Sequence, residues 1–354
     1  MRASVLTLWL LLAPAIAAAQ GFAGLGADAD GFHDPTPDRM LDFPADHGPH
    51  PGYRIEWWYL TANLEGADGQ SYGVQYTLFR QAAAPPPAGE GWANQQFCLG
   101  HIALTTADEH FYAERLARGG VGQAGAVAEP FAAWIDDWRI AALSEGPASA
   151  LGFGDLRLQA STGKFSYDLR LSTEAPPVLQ GEGGYSVKSD RGQASYYYSQ
   201  PYFRADGTVR IGEQVVAVSG RAWMDREWSS QPLAEDQSGW DWFSLHLDET
   251  TKLMLFRLRQ EDGRHYLSGN WIGASGSAPI SGADIELEIL EETDLPGRRV
   301  PTSWHVIVRS RGVDVSVHPL NPRAWNETQI GYWEGPISGV GSHEAIGYLE
   351  MTGY

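Results

Sequence analysis

Short runs of alternating apolar and polar residues, separated by Gly, Pro, Asn and Asp, dominate the sequence from about residue 41 onward. Clear examples are residues 72–79, 156–160, 253–259 and 285–290. Period-two alternation indicates β-strands that bury one face, and the glycines and prolines mark the turns between them. Long helical periodicity is scarce and alternating strand–helix units are missing. The sequence therefore predicts an all-β protein and excludes a doubly wound α/β fold.

Composition supports this fold class and narrows the partners. The 354 residues suffice for two domains, and 14 Trp, 15 Tyr and 41 Gly suit strands and tight turns. The 25 basic and 44 acidic residues give a net charge of -19, which argues against nucleic acid or an anionic membrane surface as a partner. Cys98 is the single cysteine, so an intrachain disulfide is excluded and core burial must stabilise the fold.

The first 19 residues have the pattern of a secretory signal peptide. Arg2 precedes an apolar run over residues 5–16, and residues 17–19 (AAA) offer a cleavage site before Gln20. The alternative is a membrane anchor, but the apolar run is shorter than the ~20 residues that a spanning helix needs. We therefore expect a secreted protein. Residues 20–40 are rich in Gly and Asp, which predicts an irregular N-terminal arm.

An aromatic hairpin pattern occurs twice in the chain. Residues 56–64 (EWWYLTANL) precede a turn and residues 76–80 (YTLFR), and residues 240–247 (WDWFSLHL) precede a turn and residues 255–257 (LFR). Each copy predicts a strand with paired aromatics followed by a strand that ends in Phe-Arg. The spacing is too long for a solenoid repeat, so a duplicated domain explains it better than chance similarity. We place the N-terminal domain at 41–212 and the C-terminal domain at 213–354.

Several motifs for cofactors and metals can be set aside. Residues 120–125 match G-x-G-x-x-G, but no strand precedes them and no helix follows, so a loop is expected. The sequence contains no G-x-S-x-G elbow, P-loop or H-E-x-x-H motif. His47 and His50 are close in sequence, but a third metal ligand is not evident. We therefore expect neither a cofactor nor a metal ion.

Residues 220–230 (GRAWMDREWSS) combine acids with large aromatics. On a strand, alternation places one set on each face: Trp223, Asp225 and Glu227 on the first, Met224, Arg226 and Trp228 on the second. Desolvation between Trp rings raises the pKa of a carboxyl group, which can then donate a proton near neutrality. The structural alternative is that Asp225 or Glu227 forms an ion pair with Arg221 or Arg226.

A proton donated to an isolated carbon–carbon double bond gives a carbocation, which aromatic faces stabilise and water captures as an alcohol. Such a hydration requires no cofactor. Asp225 is the candidate proton donor, and Glu227 and His47 are secondary candidates for orienting water. The candidate ligand-binding aromatics are Trp223, Tyr196, Tyr198, Trp57, Trp58, Trp240 and Trp242, although paired Trp residues are also common in protein cores. Tyr196 and Tyr198 share one face of a strand, and Tyr197 lies on the other.

Six segments together resemble the AttH-like family, which is grouped with the carotenoid 1,2-hydratase-like (hydroxyneurosporene synthase-like) proteins. They are residues 43–51 (FPADHGPHP), 56–59 (EWWY), 222–230 (AWMDREWSS), 239–243 (GWDWF), 332–335 (YWEG) and 347–354 (GYLEMTGY). The resemblance covers about residues 40–354. It implies two tandem lipocalin-like antiparallel β-barrels and an apolar small-molecule ligand, in agreement with the duplicated hairpin.

The resemblance also implies roles for individual residues. In the carotenoid hydratases, the proposed proton donor is an Asp in the strand that opens the second domain, and Asp225 is similar in position. Trp223 stands where those enzymes have a Tyr. Tyr196 and Tyr198 stand at the similar positions of a His-x-Trp pair, so aromatic character is retained but the imidazole is lost.

Two functions follow from the residues and the resemblance. The first is an exported apolar-ligand-binding protein whose hydratase-like site adds water to an alkene of a carotenoid- or isoprenoid-like substrate. The second is a non-catalytic carrier or accessory protein of an ABC-type exporter, since AttH-like proteins are associated with such exporters. The resemblance places either protein in the periplasm. A buried Asp225 without a cationic partner would favour the first function, and an arginine-paired Asp225 the second.

Overall fold

The computed structural model describes residues 22–87, 89–143, 153–273 and 276–354. The predicted signal peptide, residues 1–19, lies outside the described residues. Every regular element in the described ranges is an antiparallel β-strand or a short 3-10 helix, which confirms the predicted all-β fold. No helix in this part of the chain has the length and apolar character needed to cross a bilayer. The 3-10 helices span Phe22–Gly24, Ala45–His47, Gly91–Ala93, Gly282–Asp284 and Arg309–Arg311.

The first sheet curls into a nearly closed barrel of thirteen strands within the described residues. The strands are β1 (Ile55–Gly66), β2 (Ser71–Ala82), β3 (Gln96–Thr105), β4 (His110–Arg118), β5 (Ala124–Val127), β6 (Ala132–Ile135), β7 (Trp138–Ala142), β8 (Leu156–Ser161), β9 (Phe165–Ser172), β10 (Val178–Leu179), β11 (Tyr185–Val187), β12 (Ala194–Ile211) and β13 (Gln214–Ser229). Their order is β4-β3-β2-β1-β13-β12-β9-β8-β7-β6-β5, and β10 and β11 pair with β12.

The second sheet forms a half-barrel of ten strands in the described ranges. These are β14 (Gln237–His246), β15 (Lys252–Gln260), β16 (His265–Gly273), β17 (Gly276–Ile280), β18 (Ile285–Leu295), β19 (Arg298–Val308), β20 (Val313–Pro319), β21 (Trp325–Asn326), β22 (Tyr332–Gly341) and β23 (Ala345–Thr352). Their order is β17-β16-β15-β14-β23-β22-β20-β19-β18, and β21 pairs with β22. The two sheets together match the predicted lipocalin-like pair of barrels.

The chain passes from the first sheet to the second between Ser229 and Gln237. The predicted second domain, from residue 213, therefore begins one strand before the second sheet, because β13 pairs with β1 and β12. Gly212 closes the hairpin between β12 and β13 with a φ of +57°. A turn glycine has the same sequence signal whether it lies within a domain or between two domains.

Alternation along the central strands produces two buried faces. In β13, Met224 and Trp228 belong to the core inside the first barrel, whereas Trp223 belongs to a separate cluster that bridges the two sheets. In β1, Trp58 packs inside the barrel and Tyr59 packs in the bridging cluster. Successive side chains of a strand point to opposite faces, so the predicted alternation of β13 is confirmed.

The two aromatic hairpins also share an ion pair. Glu56 at the start of the first copy pairs with Arg80, which lies near the end of β2. Asp241 in the second copy pairs with Arg257 at 2.6 Å. In each hairpin an acid precedes a Trp on one strand and contacts the Arg of a Phe-Arg on the next, which extends the similarity seen in sequence to side-chain contacts.

Glu56 is the centre of a buried charge network in the first barrel. It is fully buried and forms ion pairs with both Arg80 and Arg226. The Arg226 guanidinium lies 3.9 Å from the centroid of the Trp58 ring. One carboxylate thus balances two buried cations between β1, β2 and β13.

We expect Glu56→Gln to lower the free energy of unfolding by about 3–5 kcal/mol, because it leaves two buried guanidinium groups without their counter-ion. Urea unfolding followed by tryptophan fluorescence measures this change. Glu249→Gln is the matched control, since Glu249 pairs with Arg221 at the surface and an exposed pair contributes about 0–1 kcal/mol. Equal effects of the two substitutions would contradict the structural role of the network.

Candidate active site

A cavity of about 250 Å³ lies between the outer face of the first sheet and the facing side of the second. It is therefore built between the two barrels. Its wall is mainly apolar, with aromatic and aliphatic side chains in similar numbers, a few acids and one lysine. The side chains that define it include, from the first sheet, Trp57, Tyr59, Phe79, His101, Tyr197, Asp225 and Glu227, and, from the second, Trp240, Trp242, Phe256, Tyr332 and Glu350, together with Lys188.

Asp225 lies in this wall and is 3% exposed. Its carboxylate accepts hydrogen bonds from Trp223 Nε1 at 2.7 Å, from Tyr197 Oη at 2.8 Å and from Ser199 Oγ. Among the residues that the structure describes, it forms no ion pair. Burial raises the pKa of Asp225 to about 7, although the three hydrogen bonds favour the charged form. Asp225 can therefore hold or release a proton near neutral pH.

Two of these donors are themselves oriented by further hydrogen bonds. Trp242 Nε1 donates to Tyr197 Oη at 3.3 Å, and Gln180 Nε2 donates to Ser199 Oγ at 2.7 Å. Because each hydroxyl oxygen already accepts one bond, its own proton is directed toward Asp225. The position of the Asp225 carboxyl is thus fixed from both sheets.

The arginines proposed as ion-pair partners of Asp225 are engaged elsewhere. Arg221 pairs with the exposed Glu249, and Arg226 pairs with Glu56 on the opposite face of β13. The structural alternative does apply to Glu227, whose Oε1 lies 2.9 Å from Lys188 Nζ. Glu227 faces the cavity, but its charge is balanced by a lysine that the sequence analysis did not identify.

Glu350 is a second acid of the cavity that the sequence analysis missed. It lies on β23 opposite Trp242 of β14, and Trp240 Nε1 donates to its Oε1 at 2.5 Å. Burial, together with the negative charges of Asp225 and Glu227, raises its pKa to about 7. Its sequence signal was available, because residues 347–354 form one of the segments that resemble the AttH-like family.

Of the predicted aromatic residues, Trp57, Trp240 and Trp242 line the cavity, and Trp223 contacts it through Asp225 and through an edge-to-face contact with Trp242. Tyr197 lines it as well, although the prediction favoured its two neighbours. Tyr197 lies opposite Glu227 in the β12–β13 register, so it shares the cavity face of that strand pair.

Four predicted site residues lie in the first barrel instead: Trp58, Tyr196, Tyr198 and His47. Trp58 and the two tyrosines alternate with cavity residues on their strands and so point to the opposite face. His47 Nδ1 is 2.7 Å from Tyr198 Oη, and Trp58 Nε1 donates to the His47 carbonyl at 2.9 Å. Burial lowers the pKa of His47 to about 3, so its imidazole is neutral. None of these four side chains lines the cavity.

Within the described ranges, no group of three or more His, Cys, Asp and Glu side chains could hold a metal ion. His50, for example, stacks on Trp228 with ring centroids 3.9 Å apart and contacts Asp46 and Glu56. These three groups belong to the buried charge network of the first barrel, away from the cavity.

Comparisons with known proteins agree with the fold and the sequence motifs. The chain is similar to the crystal structure of a protein assigned as AttH from Nitrosomonas europaea, with a TM-score of 0.79 and 29% identity over 91% of this chain and 100% of the other. It is also similar in fold to kievitone hydratase from Nectria haematococca, with a TM-score of 0.61 and 15% identity over 91% of this chain and 98% of that enzyme.

No curated protein matches the chain significantly. The sequence profile of the AttH-like family matches residues 34–354, which is nearly the whole chain. On this match and on the motifs described above, the protein belongs to the AttH-like family.

Proposed function

We propose that this protein is a cofactor-free hydratase that adds water across a carbon–carbon double bond of an isoprenoid-like substrate in the cavity between the sheets. The observation that supports this most strongly is the environment of Asp225. Its carboxyl is buried in an aromatic wall and lacks an ion-pair partner among the described residues. A carboxyl in such surroundings is a candidate acid–base group.

In the proposed reaction, Asp225 transfers its proton to one alkene carbon, and the other carbon becomes a carbocation. A water molecule forms a carbon–oxygen bond to the cation and loses one proton, which replaces the proton that Asp225 gave up. In sum, the alkene and one water molecule give an alcohol. Because no electrons are transferred to or from an external group, the reaction requires no cofactor.

The aromatic wall provides the stabilisation that a carbocation needs. Trp57, Trp240 and Trp242 line the cavity together with Phe79 and Phe256. A cation within about 6 Å of such a ring gains roughly 0.5–2 kcal/mol, and more where water is excluded. Several rings acting together would lower the barrier to protonation by a few kcal/mol.

The cavity size restricts the substrate. Pockets for small molecules commonly measure about 300–1,000 Å³, and this one is about 250 Å³. The volume favours a short isoprenoid-like chain, or one end of a longer chain, over an entire carotenoid. The fold shared with kievitone hydratase, which is a hydratase by name, is compatible with this chemistry, but a shared fold alone does not fix a reaction.

The competing function is a passive carrier of an apolar molecule. In this proposal, residues 1–19 are the signal peptide that directs export of the protein, which then serves an ABC-type exporter. Export to the periplasm is compatible with both functions and forms part of the proposal. A carrier needs the aromatic cavity but has no need of an unpaired acid within it. We therefore favour the hydratase.

We expect wild-type protein in deuterated water to convert geranylacetone, an isoprenoid ketone with trisubstituted alkenes, to an alcohol with deuterium on the carbon next to the new carbinol. Asp225→Asn should lower this rate by roughly 10²–10⁴-fold, since the proton donor is lost while the side-chain shape is kept. Mass spectrometry and NMR of the product measure both effects.

Asp206→Asn is the control for this experiment, because Asp206 is an exposed carboxyl on β12 and should leave the rate unchanged. Equal binding of geranylacetone by wild type and Asp225→Asn, without conversion by either, would contradict the hydratase and support the carrier.

The pH dependence of hydration gives a separate prediction. Because the pKa of Asp225 is about 7, the donor is protonated below that pH, and kcat/KM should fall as the pH rises above it. Trp223→Phe removes one hydrogen bond that favours the carboxylate, so it should raise this pKa and move the fall in rate to higher pH. A shift to lower pH would contradict the assignment of Asp225 as the donor.

A further inference from the structure

We propose that Glu350 is the second catalytic residue of this site and takes the proton that the attacking water loses. This inference rests on the proposed hydratase function. It gives the cavity a pair of carboxyl groups with opposite tasks, one donating a proton to the alkene and one accepting a proton from water.

The first argument is position. Asp225 is on β13 of the first sheet and Glu350 is on β23 of the second, and both line the same cavity. A substrate bound between the sheets therefore lies within reach of both walls. Trp240 Nε1 holds Oε1 of Glu350 at 2.5 Å and so orients the carboxyl group.

The second argument is access to water. Asp225 is 3% exposed, whereas Glu350 is partly exposed to the cavity. The acid that protonates an alkene benefits from exclusion of water, because water would compete for its proton. The base must instead meet a water molecule that enters from solvent. Their different burial suits Asp225 for the first task and Glu350 for the second.

The third argument comes from the duplicated hairpin. Glu227 lies opposite Trp57 in the β1–β13 register, and Glu350 lies opposite Trp242 in the β14–β23 register. The two glutamates thus occupy equivalent positions in the two copies. Lys188 neutralises Glu227, whereas Glu350 forms no ion pair within the described part of the chain. The second copy therefore has an acid without an ion-pair partner at this position.

The charges around Glu350 couple it to Asp225. Asp225 and Glu227 on β13 repel its negative charge. Glu334, directly opposite on β22, accepts a hydrogen bond from Tyr59 Oη at 2.5 Å, and burial raises its pKa well above the usual range, which favours its protonated form. The other titratable groups of the cavity are Lys188, Tyr197, Tyr332 and His101.

Asp225 and Glu350 both have a pKa of about 7, and the negative charge of Asp225 contributes to raising that of Glu350, so a form with one proton on the two acids is populated near neutrality. The productive form has that proton on Asp225 and the negative charge on Glu350. In the reaction, the Asp225 proton forms the new carbon–hydrogen bond, water oxygen forms the carbon–oxygen bond, and a water proton moves to Glu350. Transfer of that proton back to Asp225 restores the starting form, so atoms and charge balance.

The test compares pH profiles for hydration of geranylacetone by wild type and Glu350→Gln. Glutamine can still accept the hydrogen bond from Trp240, so the side chain keeps its place while the base is lost. We expect kcat to fall by roughly 10²–10⁴-fold with KM changed little. We also expect the wild-type profile to be bell-shaped and the variant to lose only the fall in rate at acid pH.

Glu334→Gln is the matched control, because Glu334 is buried beside Glu350, glutamine can still accept the hydrogen bond from Tyr59, and the residue does not line the cavity. It should keep the bell-shaped profile. Isotope-edited infrared titration of the carboxyl groups provides a readout other than activity. In Glu350→Gln, the titration of Asp225 should move to lower pH, because a neighbouring negative charge has been removed.

The outcomes separate this inference from the function on which it rests. Wild-type protein that leaves geranylacetone unchanged would overturn the proposed hydration of that substrate. If the wild type is active and Glu350→Gln has an unchanged rate, or still shows the fall in rate at acid pH, only the role of Glu350 would be overturned. If Glu350→Gln instead loses the fall in rate at alkaline pH, Glu350 would be the proton donor and Asp225 the base, which would also overturn the proposed role of Glu350.

Discussion

The packing of one sheet face against another is the contact on which the site depends. The outer face of the first barrel meets the second sheet through aromatic and polar side chains, including the hydrogen bond from Tyr59 to Glu334 and one from Asn63 Nδ2 to the Gly347 carbonyl at 2.8 Å. Because this contact buries carboxyl groups among protein atoms, they are largely desolvated and their pKa values rise. Separated sheets would return Asp225 and Glu350 to ordinary acids.

Most buried acids in the described residues are balanced by a cation. Glu56 has two arginines, Glu227 has Lys188, and Asp241 pairs with Arg257 and Arg259. Such pairs offset the cost of burying charge. Asp225, Glu334 and the half-buried Glu350 differ, because hydrogen bonds from neutral donors are their main polar contacts. Of these three acids, only Asp225 and Glu350 line the cavity. Leaving an acid buried without a counter-ion destabilises a fold, which is a reason to look for a functional role at these two positions.

The duplicated hairpin explains how the cavity has two similar walls. Trp57 and Phe79 of the first copy and Trp242 and Phe256 of the second all line it. The copies differ at the acid that lies opposite each Trp on the neighbouring strand. Glu227, opposite Trp57, is paired with Lys188, whereas Glu350, opposite Trp242, is not. The two hairpins thus place similar aromatic side chains on both walls, and Lys188 makes the environments of their two acids different.

The sequence by itself determined the all-β class, the repeated hairpin and the residues that share a face on each strand, because a period of two fixes which side chains point together. It correctly grouped Trp223, Asp225 and Glu227, and it separated Tyr197 from Tyr196 and Tyr198. Only the tertiary structure decided which of the two faces lines the cavity. Both faces of β12 and β13 are rich in aromatics and both are buried, so composition cannot distinguish the barrel interior from the contact between sheets. Lys188 and Glu350 join Asp225 through sheet packing over long sequence separations, which local patterns do not record.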